Sequence, residues 1–263
     1  CSARRVVSTA AAEAKRKAEE KARAEAEAAA VLAAPADAMD ISADTAISEA
    51  GPGQFEINLM HGPDALKAAD DAWLFKMLVK GLARRHGFAA SFMATPYPDY
   101  SGSGMHTHFS VLDSDGNNVF DDGGPKGTDM LHHAIAGCLN GMYDSTLLFA
   151  PHWNSYDRLV PEAHAPTGIA WAYENRTAAI RVPSGSPSAR RIEHRVAGGD
   201  VNPYLTLAAI LGAGLVGIED GAMPPAPIKG NAYALDLPQV PTDWPSAVTA
   251  FEKSKVMKLL ADF

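Results

Sequence analysis

Residues 189–204 read ARRIEHRVAGGDVNPY, and they join a strand pattern to the start of a helix. In the first half, charged side chains alternate with less polar ones, so a strand would place the two sets on opposite faces. The two sets are Arg191, Glu193 and Arg195 against Ile192, His194 and Val196. In the second half, Asn202 and Pro203 suit a helix start, and an apolar run at 205–218 follows. A strand that leads into a long helix indicates a mixed α/β or α+β domain with a sizeable sheet.

The charged face of this strand has a carboxylate between two guanidinium groups. Arginine forks bind phosphates and carboxylates through paired hydrogen bonds. A solvated ladder of ion pairs is the alternative, and it would contribute little stability. Three further arginines lie upstream: Arg158, Arg176 and Arg181. Together the arginines could neutralise a triphosphate and an amino-acid carboxylate, although an unbroken strand would put Arg176 and Arg181 on opposite faces.

A second strand pattern, GSGMHTHFSV at 102–111, carries two imidazoles and a hydroxyl. Alternation places His106, His108 and Ser110 on one face, which is typical of a wall that binds a ligand. Gly102 and Gly104 would let a ligand approach the backbone closely, or they would simply form a turn. The segment predicts a binding face next to the charged strand.

Two carboxylates flank a turn further upstream, in EAGPGQFEINL at 49–59. The Gly-Pro-Gly turn lets Glu49 fold back towards Glu56. Converging carboxylates repel each other unless a cation lies between them, so the pair suggests a divalent-metal site. Two exposed carboxylates on an edge strand are the alternative.

Helix signals define the scaffold. Pro63 and Asp64 begin a helix that should reach His86, with Gly87 just beyond its end. Thr128 should cap another helix, and a last one should run from about Ser246 to Leu260. DSDGNN at 113–118 lacks the later glutamate of a calcium loop, so it predicts a hairpin turn.

Composition excludes several classes of protein. The 263 residues carry a formal net charge of −8, which argues against a nucleic-acid surface. Only Cys1 and Cys138 are present, so a disulfide framework is not expected and a reducing cytoplasm is the expected location. The apolar run at 205–218 is too short to span a membrane, and no secretory signal opens the chain. Small polar substrates and metal ions remain as the expected ligands.

The N-terminal part of the sequence differs from the rest. Residues 9–34 are almost entirely Ala, Glu, Lys and Arg, which favours a helix but gives no apolar stripe. The pattern predicts a solvated helical or disordered tail, with a coiled-coil or partner-binding segment as the alternative. Residues 35–40 would be a linker. We therefore expect a tail and linker at 1–38 and one domain at 39–263.

Five segments together resemble the catalytic domain of the glutamine synthetase family. They are EAGPGQFEINL, GSGMHTHFS, NSYDRLVP, NRTAAIRVP and RRIEHRVAGGDVNPYL, in the order and approximate spacing of that family. RVAGGDVNPYL looks most like the branch that makes γ-glutamylpolyamines such as γ-glutamylputrescine. The resemblance implies an α+β fold in which an antiparallel sheet forms a half barrel backed by helices, and homo-oligomeric rings for the full-length protein.

The resemblance also implies roles for individual residues. The first divalent ion, Mg²⁺ or Mn²⁺, would be held by Glu49 and Glu56, and the second by His106 and Glu193. The nucleotide site, with ATP as co-substrate, would comprise His108, Ser110, Arg181 and Arg191. Glutamate would be held by Ser101, Gly102, Arg158 and Arg195. The catalytic positions would be Arg176, where glutamate meets the transferred phosphoryl group, and His164.

The implied reaction joins the γ-carboxylate of glutamate to an amine through γ-glutamyl phosphate. Ammonia-using members carry a glutamate where this chain has His164, which removes a negative charge from the amine pocket and is compatible with a larger amine without identifying it. The resemblance to the polyamine branch implies a polyamine such as putrescine. Glutamine synthetase activity with ammonia is one alternative. The family's preceding β-grasp domain, further metal carboxylates and usual C-terminal helical end have no counterpart in this sequence. An inactive fragment that serves only as a nucleotide-binding or assembly module is therefore the other alternative.

Overall fold

A computed structural model of the chain describes residues 2–161 and 165–254. The chain divides into two units, residues 1–91 and 92–263, and each is considered by itself.

The first unit combines two helices with a β-hairpin. Its elements are α1 (Ser2–Asp37), β1 (Ala43–Ser48), β2 (Phe55–Leu59) and α2 (Ala65–Arg85). The described side chains of α1 at 15–23 are exposed, and oppositely charged residues four apart pair along them, as Lys15 Nζ does with Glu19 Oε1 at 3.8 Å. Further along α1, Glu25 Oε1 accepts a 2.8 Å hydrogen bond from the Ser48 backbone N–H. The helix thus contacts the hairpin.

The predicted linker at 35–40 is wrong. Helix α1 continues through Pro35 to Asp37, and Ala36 is fully buried. Asp40 then adopts a positive φ of 56°, and Ile41 is only 1% exposed. Burial of Ala36 and Ile41 makes this corner part of the packed unit.

Helix α2 has the bounds that its sequence predicts, to within two residues. Asp64 Oδ1 caps the first turn by accepting from the backbone N–H groups of Leu66 (2.8 Å) and Lys67 (3.1 Å). At the other end His86 is the C-cap, and Gly87 follows with a φ of +80°.

The second unit contains a four-stranded sheet and four helices among its described residues. The strands are β3 (Thr107–Phe109), β4 (Trp171–Tyr173), β5 (Ile180–Val182) and β6 (Ile192–His194), in the order β3-β6-β5-β4. The helices are α3 (Asp129–Met142), α4 (Thr146–Phe149), α5 (Pro203–Glu219) and α6 (Trp244–Glu252). Short 3₁₀ helices lie at Trp153–Asp157, Pro187–Ala189 and Ala232–Ala234. The β3–β6 and β6–β5 pairs are antiparallel, as predicted, whereas β4 and β5 are parallel.

One face of this sheet lies in the core. Ile180 and Ile192 are fully buried, and His194 is 1% exposed with its ring centroid 4.7 Å from that of Phe149. Complete burial lowers the pKa of His194 to about 3, so its imidazole is neutral. The alternation predicted for residues 191–196 therefore has a physical basis, because the less polar set packs inward and the charged set takes the other face.

Helices α3 and α5 cross where each has a glycine. A Cβ atom added to Gly137 would lie 2.0 Å from the Ala213 carbonyl oxygen, and one added to Gly217 would lie 2.2 Å from that of His133. Only glycine allows the two backbones to approach this closely. Asn202 caps α5 by accepting from Tyr204 N at 3.0 Å, and Thr128 caps α3 by accepting from Leu131 N at 3.3 Å, as predicted.

Two peripheral predictions can be compared with the structure. Residues 113–118 form the expected turn, in which Leu112 pairs with Asn118 and Gly116 has a φ of +83°. The last helix begins two residues before the predicted Ser246, because Asp243 caps it by accepting from Ser246 N at 2.8 Å. It ends at Glu252, and 255–260 lie outside the described residues. No helix in the described part of the chain is long and apolar enough to cross a membrane.

Candidate functional site

The strand register of the second unit brings the predicted polar residues together. His108 on β3 lies opposite Glu193 on β6, and Glu193 lies opposite Arg181 on β5. Directly paired residues of neighbouring strands share a face of the sheet. The face that looks away from the core therefore has Glu193 at its centre, with an imidazole on one side and a guanidinium group on the other.

Glu193 is a buried carboxylate between two arginines. Its side chain is 3% exposed, Oε2 accepts a 2.8 Å hydrogen bond from Arg181 Nη1, and Oε1 accepts from Arg195 Nη1. The alternative of a solvated ion-pair ladder is wrong for this residue. A buried carboxylate with both oxygens bonded to guanidinium groups is held in one orientation.

The two predicted histidines also contact this carboxylate. His106 Nδ1 lies 3.4 Å from Glu193 Oε1, and His108 Nε2 lies 3.8 Å from the same atom. Burial lowers the pKa of His106 well below its ordinary value, and the neighbouring Arg195 lowers it further. Burial also lowers the pKa of His108, against an opposing effect of Glu193. A neutral imidazole keeps one nitrogen lone pair, so these contacts are not ion pairs, and a ring whose lone pair does not already accept a hydrogen bond can act as a ligand.

Arg191 completes the polar face. Its Nε donates a 3.1 Å hydrogen bond to His108 Nδ1, and its Nη1 donates to the Ala189 carbonyl oxygen at 3.2 Å. The bond to His108 fixes the orientation of the imidazole and leaves its Nε2 facing Glu193. Arg191 is half-buried, so its guanidinium group remains open to an anion from solution.

Arg158 lies beneath the segment that leads into β3. It is 3% exposed, and its Nη1 donates a 2.7 Å hydrogen bond to the Val196 carbonyl oxygen. A Cβ on Gly104 would lie 2.7 Å from Arg158 Nη2, and one on Gly102 would lie 3.1 Å from Arg158 Cδ and 2.2 Å from the Ala94 carbonyl oxygen. The two glycines therefore leave space for the Arg158 side chain and the Ala94 carbonyl group. Gly102 thus lies next to Arg158, the arginine predicted to bind a carboxylate.

The sequence does not predict a cluster of polar side chains around Asp200. Asp200 Oδ2 accepts a 2.5 Å hydrogen bond from Ser155 Oγ and lies 3.1 Å from His152 Nδ1. Ser155 belongs to the 3₁₀ helix that precedes Arg158. The signal was a single aspartate in a Gly-Gly-Asp turn, which alone predicts only a turn.

Glu174 was missed as well. It adopts a left-handed φ of 54°, unusual for a residue other than glycine, and its carboxylate accepts from the Ser184 backbone N–H. The same carboxylate lies 3.4 Å from Arg181 Nη2. Arg181 therefore contacts two carboxylates, a buried one on β6 and a half-exposed one at the end of β4.

Arg176, Ser101 and Ser110 lie in segments that adjoin the strands of this sheet. Arg176 is exposed in the turn between β4 and β5. Because Arg176 does not lie on a strand, the expectation that an unbroken strand would put Arg176 and Arg181 on opposite faces does not apply. Ser101 is half-buried in the segment before β3, and Ser110 is exposed just after it. His164 and its neighbour Glu162 lie outside the described residues.

Glu49 and Glu56 belong to the hairpin of the first unit. Ile47 pairs with Glu56, and the Glu49 backbone N–H donates a 2.9 Å hydrogen bond to the Gln54 carbonyl oxygen. Since residues two apart on a strand share a face, Glu49 and Glu56 lie diagonally on one face of the hairpin. Both residues are exposed.

The donor atoms of the second unit suit a divalent ion only in part. His106 Nδ1 and Glu193 Oε1 are close enough to share one ion, and an imidazole with a carboxylate is a set that Mn²⁺ and related ions accept. However, within residues 2–161 and 165–254 no group of three His, Cys, Asp or Glu side chains is arranged to hold a metal. Further ligands would have to join these two.

Comparison with known proteins identifies the relatives of this chain. The family described as "Glutamine synthetase, catalytic domain" matches residues 6–262. The chain is 44% identical to a γ-glutamylputrescine synthetase of Escherichia coli (strain K12) over 191 residues, which are 73% of this chain and 40% of that protein. It is 40% identical to a γ-glutamylethanolamide synthetase of Streptomyces coelicolor over 83% of this chain and 46% of that protein. A glutamate–isopropylamine ligase of a Pseudomonas species is 42% identical over 71% of this chain and 41% of its own length.

Solved structures agree with these matches. The ligand-free structure of GmaS superimposes with a TM-score of 0.77 at 34% identity, covering 87% of this chain and 54% of that one. The GmaS complex with ADP gives the same TM-score at 33% identity. The predicted α+β fold of this type is confirmed, and the chain spans about half the length of the proteins it matches.

Proposed function

Because the chain belongs to the glutamine synthetase family, we propose that it acts in an ATP-dependent ligase reaction, which joins the γ-carboxylate of glutamate to an amine through γ-glutamyl phosphate. One observation supports this most directly. Two arginines and two neutral imidazoles surround the buried carboxylate of Glu193 on one face of the sheet, and a third arginine is hydrogen-bonded to one of the imidazoles. Such a face suits two anionic substrates that must lie side by side.

The arginines have distinct proposed partners. Arg191 is open to solution and Arg181 is anchored by Glu193, so both suit ATP phosphates, which need fixed cationic groups as charge moves between oxygens. Arg158 and Arg195 are buried and suit the carboxylates of glutamate, with Gly102 close to Arg158 and Ser101 preceding Gly102 in the chain. Arg176 would act where the two substrates meet. His108 and Ser110 would line the nucleotide.

Two divalent ions, Mg²⁺ or Mn²⁺, are part of this proposal. His106 and Glu193 would hold one of them, and Glu49 and Glu56 the other. When bound, such ions supply a Lewis acid that offsets negative charge on the phosphates. The residues themselves prepare the site, because Arg195 and Arg181 orient Glu193 and Arg191 orients His108.

We propose an amine larger than ammonia as the acceptor, with a polyamine such as putrescine as the first candidate. The resemblance of RVAGGDVNPYL to the polyamine branch and the match to the Escherichia coli enzyme favour it. The other relatives are named for ethanolamine, isopropylamine and glutamine, so a panel of amines is the appropriate test. His164 would face the amine in place of an acidic residue.

The proposal is tested by incubating the purified chain with ATP, Mn²⁺, glutamate and one amine, and by detecting the amide by mass spectrometry and phosphate by a coupled assay. The panel comprises putrescine, ethanolamine, isopropylamine and ammonia. Glu193→Gln should lower the rate by about 100-fold or more, because it removes a charge at the reacting groups. Glu219→Gln, at the exposed end of α5, should leave it unchanged.

Three other results would argue against the proposal. Amide formation by Glu193→Gln at the wild-type rate would show that the polar face of the sheet does not take part in the reaction. Phosphate release without glutamate would indicate a simple ATPase. Binding of ATP without turnover would favour a nucleotide-binding or assembly module.

A further inference from the structure

Asp200 lies outside the polar face of the sheet, yet it contacts the segment that delivers Arg158. Its side chain is 9% exposed, and its Oδ2 atom accepts from Ser155 Oγ at 2.5 Å. Ser155 Oγ in turn accepts a 3.0 Å hydrogen bond from the His152 backbone N–H. One carboxylate oxygen thus holds both ends of the first turn of the 3₁₀ helix at Trp153–Asp157.

Arg158 immediately follows this 3₁₀ helix. It is the C-cap residue, and its backbone N–H donates to the Ser155 carbonyl oxygen at 3.3 Å. Any displacement of Ser155 would therefore be passed directly to the backbone of Arg158. The connection between Asp200 and Arg158 contains only one intervening residue.

Asp200 and Arg158 also interact electrostatically. Burial lowers the pKa of Arg158 to about 10, and the nearby carboxylate of Asp200 opposes that effect. Among the described residues, the hydrogen-bond acceptors of the Arg158 guanidinium are neutral, the carbonyl oxygens of Val196 (2.7 Å) and Arg195 (3.5 Å). A buried guanidinium group without a neighbouring anion is costly, so Asp200 stabilises Arg158 in its buried position.

Two details indicate that this placement is specific. A Cβ on Gly198 would lie 2.5 Å from Asp200 Oδ1, so the turn accommodates the carboxylate only because residue 198 is glycine. The Oδ1 atom itself is buried and has no hydrogen-bond partner among the described residues. Gly198 pairs with Gly104, and a Cβ on Gly104 would lie 2.7 Å from Arg158 Nη2. The turn that carries Asp200, the segment before β3 and Arg158 therefore pack closely against one another.

We infer that Asp200 is the positioning residue for Arg158, which it holds in place through Ser155 and through its charge. The inference rests on the proposed function only for its effect on glutamate, since Arg158 is the arginine proposed to bind a glutamate carboxylate. The positioning itself can be measured without any catalysis.

Modification of arginines by phenylglyoxal, followed by peptide mass mapping of the whole chain, tests the positioning. In the wild type, Arg158 should stay unmodified while the exposed Arg84 reacts. In Asp200→Asn, which keeps an acceptor for Ser155 but loses the charge, Arg158 should react about tenfold faster. The buried Arg190 should remain as slow as in the wild type. His152→Ala is the matched control, because it alters an exposed contact of the same carboxylate and should leave Arg158 protected.

Ser155→Ala supplies a second variant if Asp200→Asn does not fold, since it removes the hydrogen bond and keeps the charge. A folded Asp200→Asn or Ser155→Ala protein in which Arg158 stays protected would overturn the inference, as would equal exposure of Arg190. In the ligase assay, Asp200→Asn should raise the glutamate KM about tenfold and leave kcat and the ATP KM within threefold, because a lost contact to a non-reacting carboxylate weakens ground and transition states alike. A fall in kcat alone would also overturn it. Absence of turnover in the wild type would contradict the proposed function, while the labelling result would still decide the role of Asp200.

Discussion

Arg181 and Glu193 face each other across strands β5 and β6, and Arg181 Nη1 donates a 2.8 Å hydrogen bond to Glu193 Oε2. The same carboxylate accepts from Arg195 on its other oxygen. A single buried anion therefore separates two guanidinium groups that would otherwise repel each other. The stability of this sheet and the proposed binding of anions by its arginines therefore involve the same side chain.

Glu193→Gln should lower the free energy of unfolding by about 3 kcal/mol, because it leaves two largely buried cations without their shared anion. Urea unfolding followed by circular dichroism measures the change. Glu174→Gln is the matched control, since Glu174 contacts the same Arg181 but its side chain is 48% exposed. That substitution should cost less than about 1 kcal/mol. Equal losses in the two variants would show that burial of the central carboxylate does not matter.

Local parts of the fold could be predicted from sequence because their signals are local. Asp64 and Gly87 fix the ends of α2 through a side-chain cap and a positive φ, and both signals lie within a few residues of the helix. The alternation at 191–196 likewise predicts which side chains face the core, since it needs only the two-residue period of a strand.

Pairings between distant segments could not be predicted in the same way. His108 and Glu193 are 85 positions apart, and no local pattern specifies that β3 lies next to β6. The parallel pairing of β4 with β5 was unexpected, because a turn that contains Arg176 replaces the continuous strand. Asp200 was missed for a similar reason, since its partner Ser155 lies 45 positions away and neither residue shows a periodic signal.

The crossing of α3 and α5 should not tolerate a side chain at Gly217. A Cβ there would lie 2.2 Å from the His133 carbonyl oxygen and 2.5 Å from Gly137 N, both backbone atoms that cannot move independently of α3. Gly217→Ala should therefore destabilise the protein by about 3 kcal/mol. Gly212→Ala in the same helix meets nothing within 4 Å and should stabilise it by about 0.5–1 kcal/mol. Thermal unfolding of the two variants would contradict this account if both changes had the same sign.

Cys138 should be inert in the folded protein. Its thiol is buried, and burial raises its pKa from 9.0 to about 12, so almost no thiolate exists at pH 8. Alkylation by iodoacetamide, followed on the peptide that contains Cys138, should be at least about 100-fold slower than in guanidinium chloride. Because the unfolded thiol loses its proton near pH 9 and the folded one keeps it to about pH 12, this group should lower stability as pH rises between those values. Rapid alkylation of the native protein at pH 8 would contradict the burial of Cys138.

Divalent metal should stabilise the chain if His106 and Glu193 contribute to a metal site. A ligand that binds only the folded state at 100 times its Kd adds about 2.7 kcal/mol to the free energy of unfolding. We therefore expect saturating Mn²⁺ to raise the Tm of the wild type and EDTA to reverse the rise. His106→Ala should abolish it, because that substitution removes the imidazole nitrogen 3.4 Å from Glu193 Oε1 and leaves Glu193 with its arginines. His152→Ala, which removes an exposed histidine bonded to Asp200 instead, should keep the full effect. An unchanged Mn²⁺ shift in His106→Ala would place the metal elsewhere, and the carboxylates of the hairpin would then be the next residues to vary.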